Sequence, residues 1–130
     1  MPLTIERIDH IVMTVHDMSK TVRFYCDILG MKEVAFGDDR TALAFGNQKI
    51  NLHPVENDIA PTAAHPAPGS LDICVITTTP IAVAIDELQR RNIVIEQGPV
   101  QRQGARGNII SIYIRDPDGN LVEIANDNNP

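Results

Sequence analysis

Glu123 stands among apolar neighbours in the run Leu121-Val122-Glu123-Ile124-Ala125. Side chains alternate across a strand, so in a strand Glu123 faces away from Val122 and Ile124. A carboxylate held there is costly unless it is paired, solvated or bound to a metal. For one such residue alone, a solvated sheet face is the commoner outcome. Four further polar residues occupy comparable places: His10 in Ile8–Val15, Asn51 and His53 in Gln48–Pro54, and Asp72 in Ser70–Ile76. Imidazole and carboxylate groups move protons or ligate divalent cations.

The elements that must position these residues follow from pattern. Arg7–Val15 reads as a strand, with Ile8, His10, Val12 and Thr14 on one face. Asp17 or Ser19 can cap a helix running to about Leu29, stopped by Gly30, with Met18, Val22, Tyr25 and Leu29 as its apolar stripe. Met31–Phe36, Arg40–Phe45 and Gln48–Pro54, separated by Gly-containing turns, read as a three-stranded meander. Residues 57–68 are rich in Pro and Ala, show no periodicity and read as a linker. Ser70–Ile76 is a strand, and Thr79-Pro80 opens a second helix with Ile81, Ala84, Ile85 and Leu88 inward and Asn92 at its end. Val94–Val100 is a strand, and a loop carrying Gly104 and Gly107 follows it. Asp116-Pro117-Asp118-Gly119 is a tight turn joining Asn108–Arg115 to Leu121–Asn126 as a hairpin.

The order β-α-β-β-β, linker, β-α-β-β-β is an internal repeat. Superposing the halves sets His10 over Asp72 and Asn51 over Glu123, at offsets of 62 and 72. All four are polar residues on strands with apolar neighbours.

Composition narrows the function classes. The 130 residues bound one domain, with modules at about 5–56 and 69–127. Seventeen acids against eleven bases argue against a nucleic-acid footprint. No run is long enough to span a membrane, and no signal-like segment opens the chain. Cys26 and Cys74, at no metal-binding spacing, read as small buried hydrophobes and reduced thiols of a cytoplasmic protein.

Ile8-Asp9-His10-Ile11-Val12-Met13-Thr14-Val15 with Asp17, Phe24-Tyr25 through Leu29-Gly30-Met31, and Asp116-Pro117-Asp118-Gly119-Asn120 with Val122-Glu123-Ile124 together resemble the vicinal-oxygen-chelate superfamily. Its members include glyoxalase I, extradiol dioxygenases, fosfomycin-modifying thiol transferases and bleomycin-resistance proteins. Lys49-Ile50-Asn51-Leu52-His53 and Pro68-Gly69-Ser70-Leu71-Asp72-Ile73-Cys74 look most like its virulence-associated, glyoxalase-domain-containing subgroup. The resemblance implies an α+β glyoxalase-like fold, with two tandem βαβββ modules forming a curved mixed sheet around a cleft. It further implies one divalent metal per site (Fe, Mn, Ni, Zn or Mg), held by His10, Asp72 and Glu123, with Glu123 also catalytic.

Two positions depart from the family pattern: Asp72 stands where His is usual, and Asn51 replaces the Glu of glyoxalase I. Asp72 either ligates or closes the cleft by hydrogen bonding. Asn51 and His53 are candidates for substrate binding, and His53 for an alternative ligand. The expected activity is lyase, isomerase or dioxygenase chemistry on a small molecule with vicinal oxygens. The competing expectation is a metal-free binding protein of the bleomycin-resistance type. Burying the edges of two open cups favours a homodimer.

Overall fold

The computed structural model describes residues 1–57 and 59–127; Asp58 of the linker and residues 128–130 lie outside that set. The chain divides into two compact units, one ending at Pro68 and the other beginning at Gly69. Each is a βαβββ module with its own four-stranded mixed sheet.

In the first module the strands are β1 (His10–Val15), β2 (Lys32–Phe36), β3 (Arg40–Phe45) and β4 (Gln48–Pro54), in the spatial order β1-β4-β3-β2. The meander β2–β3–β4 is antiparallel, and β1 joins β4 in parallel with Val12 opposite Asn51. That register puts His10, Val12 and Thr14 on the same face as Lys49, Asn51 and His53. Met13, Val15, Ile50, Leu52 and Leu43 occupy the other face and are at most 1% exposed. Burying each such side chain contributes about 1.5–3 kcal/mol. The expected first strand is shorter than Arg7–Val15, and Gln48 Nε2 donates to the Ile8 carbonyl just ahead of it at 3.0 Å.

Helix α1 (Met18–Arg23) is capped by Asp17, whose Oδ1 accepts from the Lys20 N–H at 3.0 Å. The expected α-helix to Leu29 instead becomes a π-helical turn over Phe24–Ile28. The wider turn shifts the inward face. Thr21, Phe24 and Tyr25 are buried, whereas Met18, Val22 and Leu29 are only half-buried. Phe24 and Tyr25 meet edge to face, their ring centroids 5.0 Å apart.

The second module repeats the plan with β5 (Asp72–Ile76), α2 (Ile81–Arg90), β6 (Gln97–Gly104), β7 (Gly107–Arg115) and β8 (Leu121–Asp127), in the order β5-β8-β7-β6. Cys74 pairs with Glu123 as Val12 pairs with Asn51, so the repeat holds at the level of register. Ile112, Ile114, Val122, Ile124 and Leu88 form the core.

The polar position before α2 is filled from a distance. Pro80 has no side-chain cap to offer, and Asn126 Oδ1 accepts from the Ile81 N–H at 2.9 Å. Asn126 Nδ2 meanwhile donates to the carbonyls of Thr77 and Thr79. Asn92, at φ 60°, ends the helix as expected of a left-handed cap.

The strand after α2 differs from the sequence reading at both ends. Val94 lies outside the strand, which starts at Gln97 and runs through the expected glycine loop to Gly104. Its polar run is legible only as an edge strand, since an edge need not alternate apolar residues. The Asp116–Asn120 turn is a buried polar clasp as well as a connection. Asp116 Oδ1 accepts from the N–H groups of Asp118 and Asn120, and its Oδ2 accepts from Asn120 Nδ2. Asn120 Oδ1 in turn accepts from the Leu71 N–H at 2.9 Å, tying the turn to the start of β5.

Candidate functional site

Glu123 is the best-supported polar residue of the second module. It is half-buried on β8 and accepts a 2.6 Å hydrogen bond from Ser111 Oγ on β7. A length of that order marks a charge-assisted bond to a carboxylate. Ser111 has no exposed surface. Its place depends on Gly98, at φ +108°, because a Cβ there would run into the Ser111 carbonyl. On the other side Cys74 faces Glu123 across the β5–β8 pair. Desolvation, then the Glu123 carboxylate and a hydrogen bond to it, push the Cys74 thiol up to about 11. Cys74 therefore stays a neutral S–H at physiological pH, facing the Glu123 carboxylate across the strand pair.

Cys74 corrects the sequence reading: it is exposed on the polar face and not a buried hydrophobe, while Cys26 is half-buried. Asp72 is also exposed on this face, but it pairs with Leu121, two residues along β8 from Glu123.

Glu123 borders an open concavity of about 420 Å³. Cys74 and Ile76 line it from β5, Arg102 and Arg106 from the β6–β7 hairpin, and Ile109 and Asp127 complete much of the wall. The hairpin fits closely at Gly104, where a Cβ would lie 2.8 Å from the Ile109 side chain.

The first module carries the other three candidates. His10 is exposed, and its Nδ1 lies 2.9 Å from Asp9 Oδ2. The bond from His10 holds the Asp9 carboxyl below its ordinary range. A carboxylate can only accept, so Nδ1 carries a proton and Nε2 is the ring nitrogen left for ligation.

His53 is 5% exposed, with Nε2 at 2.8 Å from Arg40 Nη2. Arginine can only donate, so Nε2 is an acceptor already engaged and the ring is neutral. Desolvation, and then the Arg40 charge, lower the His53 pKa. Arg40 and Lys49 both sit over the Phe36 ring, at 4.9 and 3.8 Å from its centroid. Asn51 is buried beside them, and its Oδ1 and Arg40 Nε have no hydrogen-bond partner among the described residues.

The five sequence candidates are thus divided: His10, Asn51 and His53 on one module, Asp72 and Glu123 on the other. Among the described residues, no group of three or more His, Cys, Asp or Glu side chains is gathered to hold a metal ion. The donor chemistry suits a hard or borderline divalent cation, since an oriented imidazole and a hydrogen-bonded carboxylate are both offered. Sequence reasoning missed Ser111, Cys74 and Arg40. Cys74 was accessible through the repeat, being two residues after Asp72 and hence opposite Glu123.

The family is shown directly. Residues 7–124 match the Glyoxalase/Bleomycin resistance protein/Dioxygenase superfamily, and the chain belongs to it. It is 54% identical over 123 residues to virulence protein STM3117 of Salmonella typhimurium, covering 95% of this chain and 85% of that protein. The crystal structure of that protein superposes with a TM-score of 0.93, covering 95% of this chain and 98% of the other. The chain is 50% identical to glyoxalase domain-containing protein RDO1 of Mycosarcoma maydis over 95% of this chain and 69% of that protein. Among the described residues, no helix is long and apolar enough to cross a membrane.

Proposed function

We propose that this chain is a glyoxalase-like enzyme acting on a small molecule with vicinal oxygens, by lyase or isomerase chemistry at Glu123. The observation that carries it is Glu123 itself, a carboxylate oriented by Ser111 at the edge of a concavity. The short bond from the buried Ser111 leaves it aimed, as a proton carrier needs. His10, Asp72 and Glu123 would hold a divalent metal. Such a metal supplies Lewis acidity toward two adjacent substrate oxygens. Asn51 would meet a substrate donor through its unpartnered Oδ1. Ring-cleaving oxygenase chemistry is less well served, because the His53 lone pair that would complete a two-His, one-carboxylate set is given to Arg40.

The test is metal content of protein purified without a histidine tag, followed by titration with Fe²⁺, Mn²⁺, Ni²⁺ and Zn²⁺. About one tight metal per chain, lost in His10→Ala and in Glu123→Ala, is the expected result. Metal content unchanged in the double variant sinks the ligand assignment.

A second reading is a metal-free small-molecule-binding protein, and the lack of three gathered donors among the described residues favours it. Under that reading none of the four metals binds, and Glu123 serves only as an acceptor for the ligand.

A further inference from the structure

We propose that the concavity of the second module recognises a small monocarboxylate, with Arg102 as the residue that pairs with its anionic group. Arg102 is half-buried on β6 and held in place twice. Its Nε donates to Tyr113 Oη at 3.0 Å, and its Nη1 donates to the Gln101 carbonyl at 3.2 Å. The guanidinium carbon lies 5.6 Å from the centre of the Tyr113 ring. Tyr113 is the β7 partner of Glu123, so the residue that anchors Arg102 neighbours the reacting carboxylate in the sheet.

Among the described residues Arg102 forms no ion pair with a carboxylate, although Glu123 and Asp127 line the same concavity. The two bonds it does make are to neutral acceptors. They order the side chain without neutralising it, and Nη2 and the second Nη1 proton stay available to one face of a bound oxyanion. An ordered guanidinium loses little entropy on pairing and matches a carboxylate in two-point geometry. The concavity, at about 420 Å³, is of the size that encloses small organic ligands. Charge favours a single negative group. Glu123 and Asp127 share the lining with Arg102 and Arg106, and a dianionic phosphate would meet two carboxylates at close range. The inference names a substrate class for the site proposed above and rests on that site's reading of Glu123.

Glycerate, its neutral amide glyceramide and glycerol 3-phosphate serve as probes by ligand-observed NMR, with EDTA present to exclude binding through a metal. Glycerate is expected to bind at least about ten-fold more tightly than glyceramide. Arg102→Gln should erase that preference, and Arg102→Lys should restore part of it. Equal binding of glycerate and glyceramide, no glycerate binding, or a preference that survives Arg102→Gln would overturn the assignment. Tighter binding of glycerol 3-phosphate than of glycerate would overturn the choice of a monocarboxylate. The metal titration fails or succeeds separately, because these probes are read without metal.

Discussion

Replacing Ser111 by Ala isolates the bond that orients Glu123. Ser111 has no exposed surface, and its Oγ lies 2.6 Å from Glu123 Oε2. Hydrogen bonds to charged groups are worth about 1.5–3 kcal/mol. Here the acceptor is only half-buried, so the expected loss of stability is at the low end, about 1.5 kcal/mol. The effect on ligation should be larger relative to its size. Removing a partner that orients a ligating carboxylate costs about 10–100-fold in metal affinity. Urea unfolding by far-UV circular dichroism reads the first quantity, the chain having no Trp, and metal titration reads the second. Metal affinity within about two-fold of wild type, beside the expected stability loss, would refute Glu123 as an oriented ligand. If neither quantity moves, the Ser111–Glu123 bond does not hold in solution.

Asn120→Ala should destabilise by about 2–3 kcal/mol, because the half-buried Leu71 N–H and the buried Asp116 Oδ2 each lose a partner; urea midpoints measure it. Asn126→Ala removes the remote cap of α2 and should cost about 1 kcal/mol, with hydrogen exchange rising first at the Ile81 amide. His53 has a folded pKa below its unfolded value of 6.5, so the unfolded state takes up its proton first as pH falls. The stability from burying it neutral is full above pH 6.5 and is lost as pH falls through the folded value. His53→Gln should flatten stability over that window, and an unchanged slope between pH 7.5 and 5.5 (about two pH units) would count against it. If donors come from two chains, mixing His10→Ala with Glu123→Ala protein should restore about a quarter of the metal sites; none returns if each chain completes its own.

Much of this was legible in the chain because its strongest signals are local. Asp116-Pro117-Asp118-Gly119 carries its turn in its own residue types, and Asp17 carries its cap. Repetition then fixed what locality could not, setting Asn51 and Glu123 on equivalent strands. The π-helical turn escaped, since Phe24-Tyr25 suits an α-helix as well and only packing chooses the wider turn. Gln101–Gly104 escaped because an edge strand needs no apolar alternation. Ser111 and Arg40 escaped for a third reason. Each acquires its role from a cross-strand partner, and antiparallel register is not written in either strand alone.

Both sheets seat the last strand of a module directly beside its first, in parallel. This arrangement has a kinetic consequence. β1 and β5 have no sheet neighbour until β4 or β8 arrives, so each module must close a loop of several dozen residues before its sheet is complete. Local meander pairing can precede that step, whereas parallel closure is the slow, non-local one. Two comparable closures in one chain predict two cooperative units in native-state hydrogen exchange. In each, the amides bonded between first and last strand should open together.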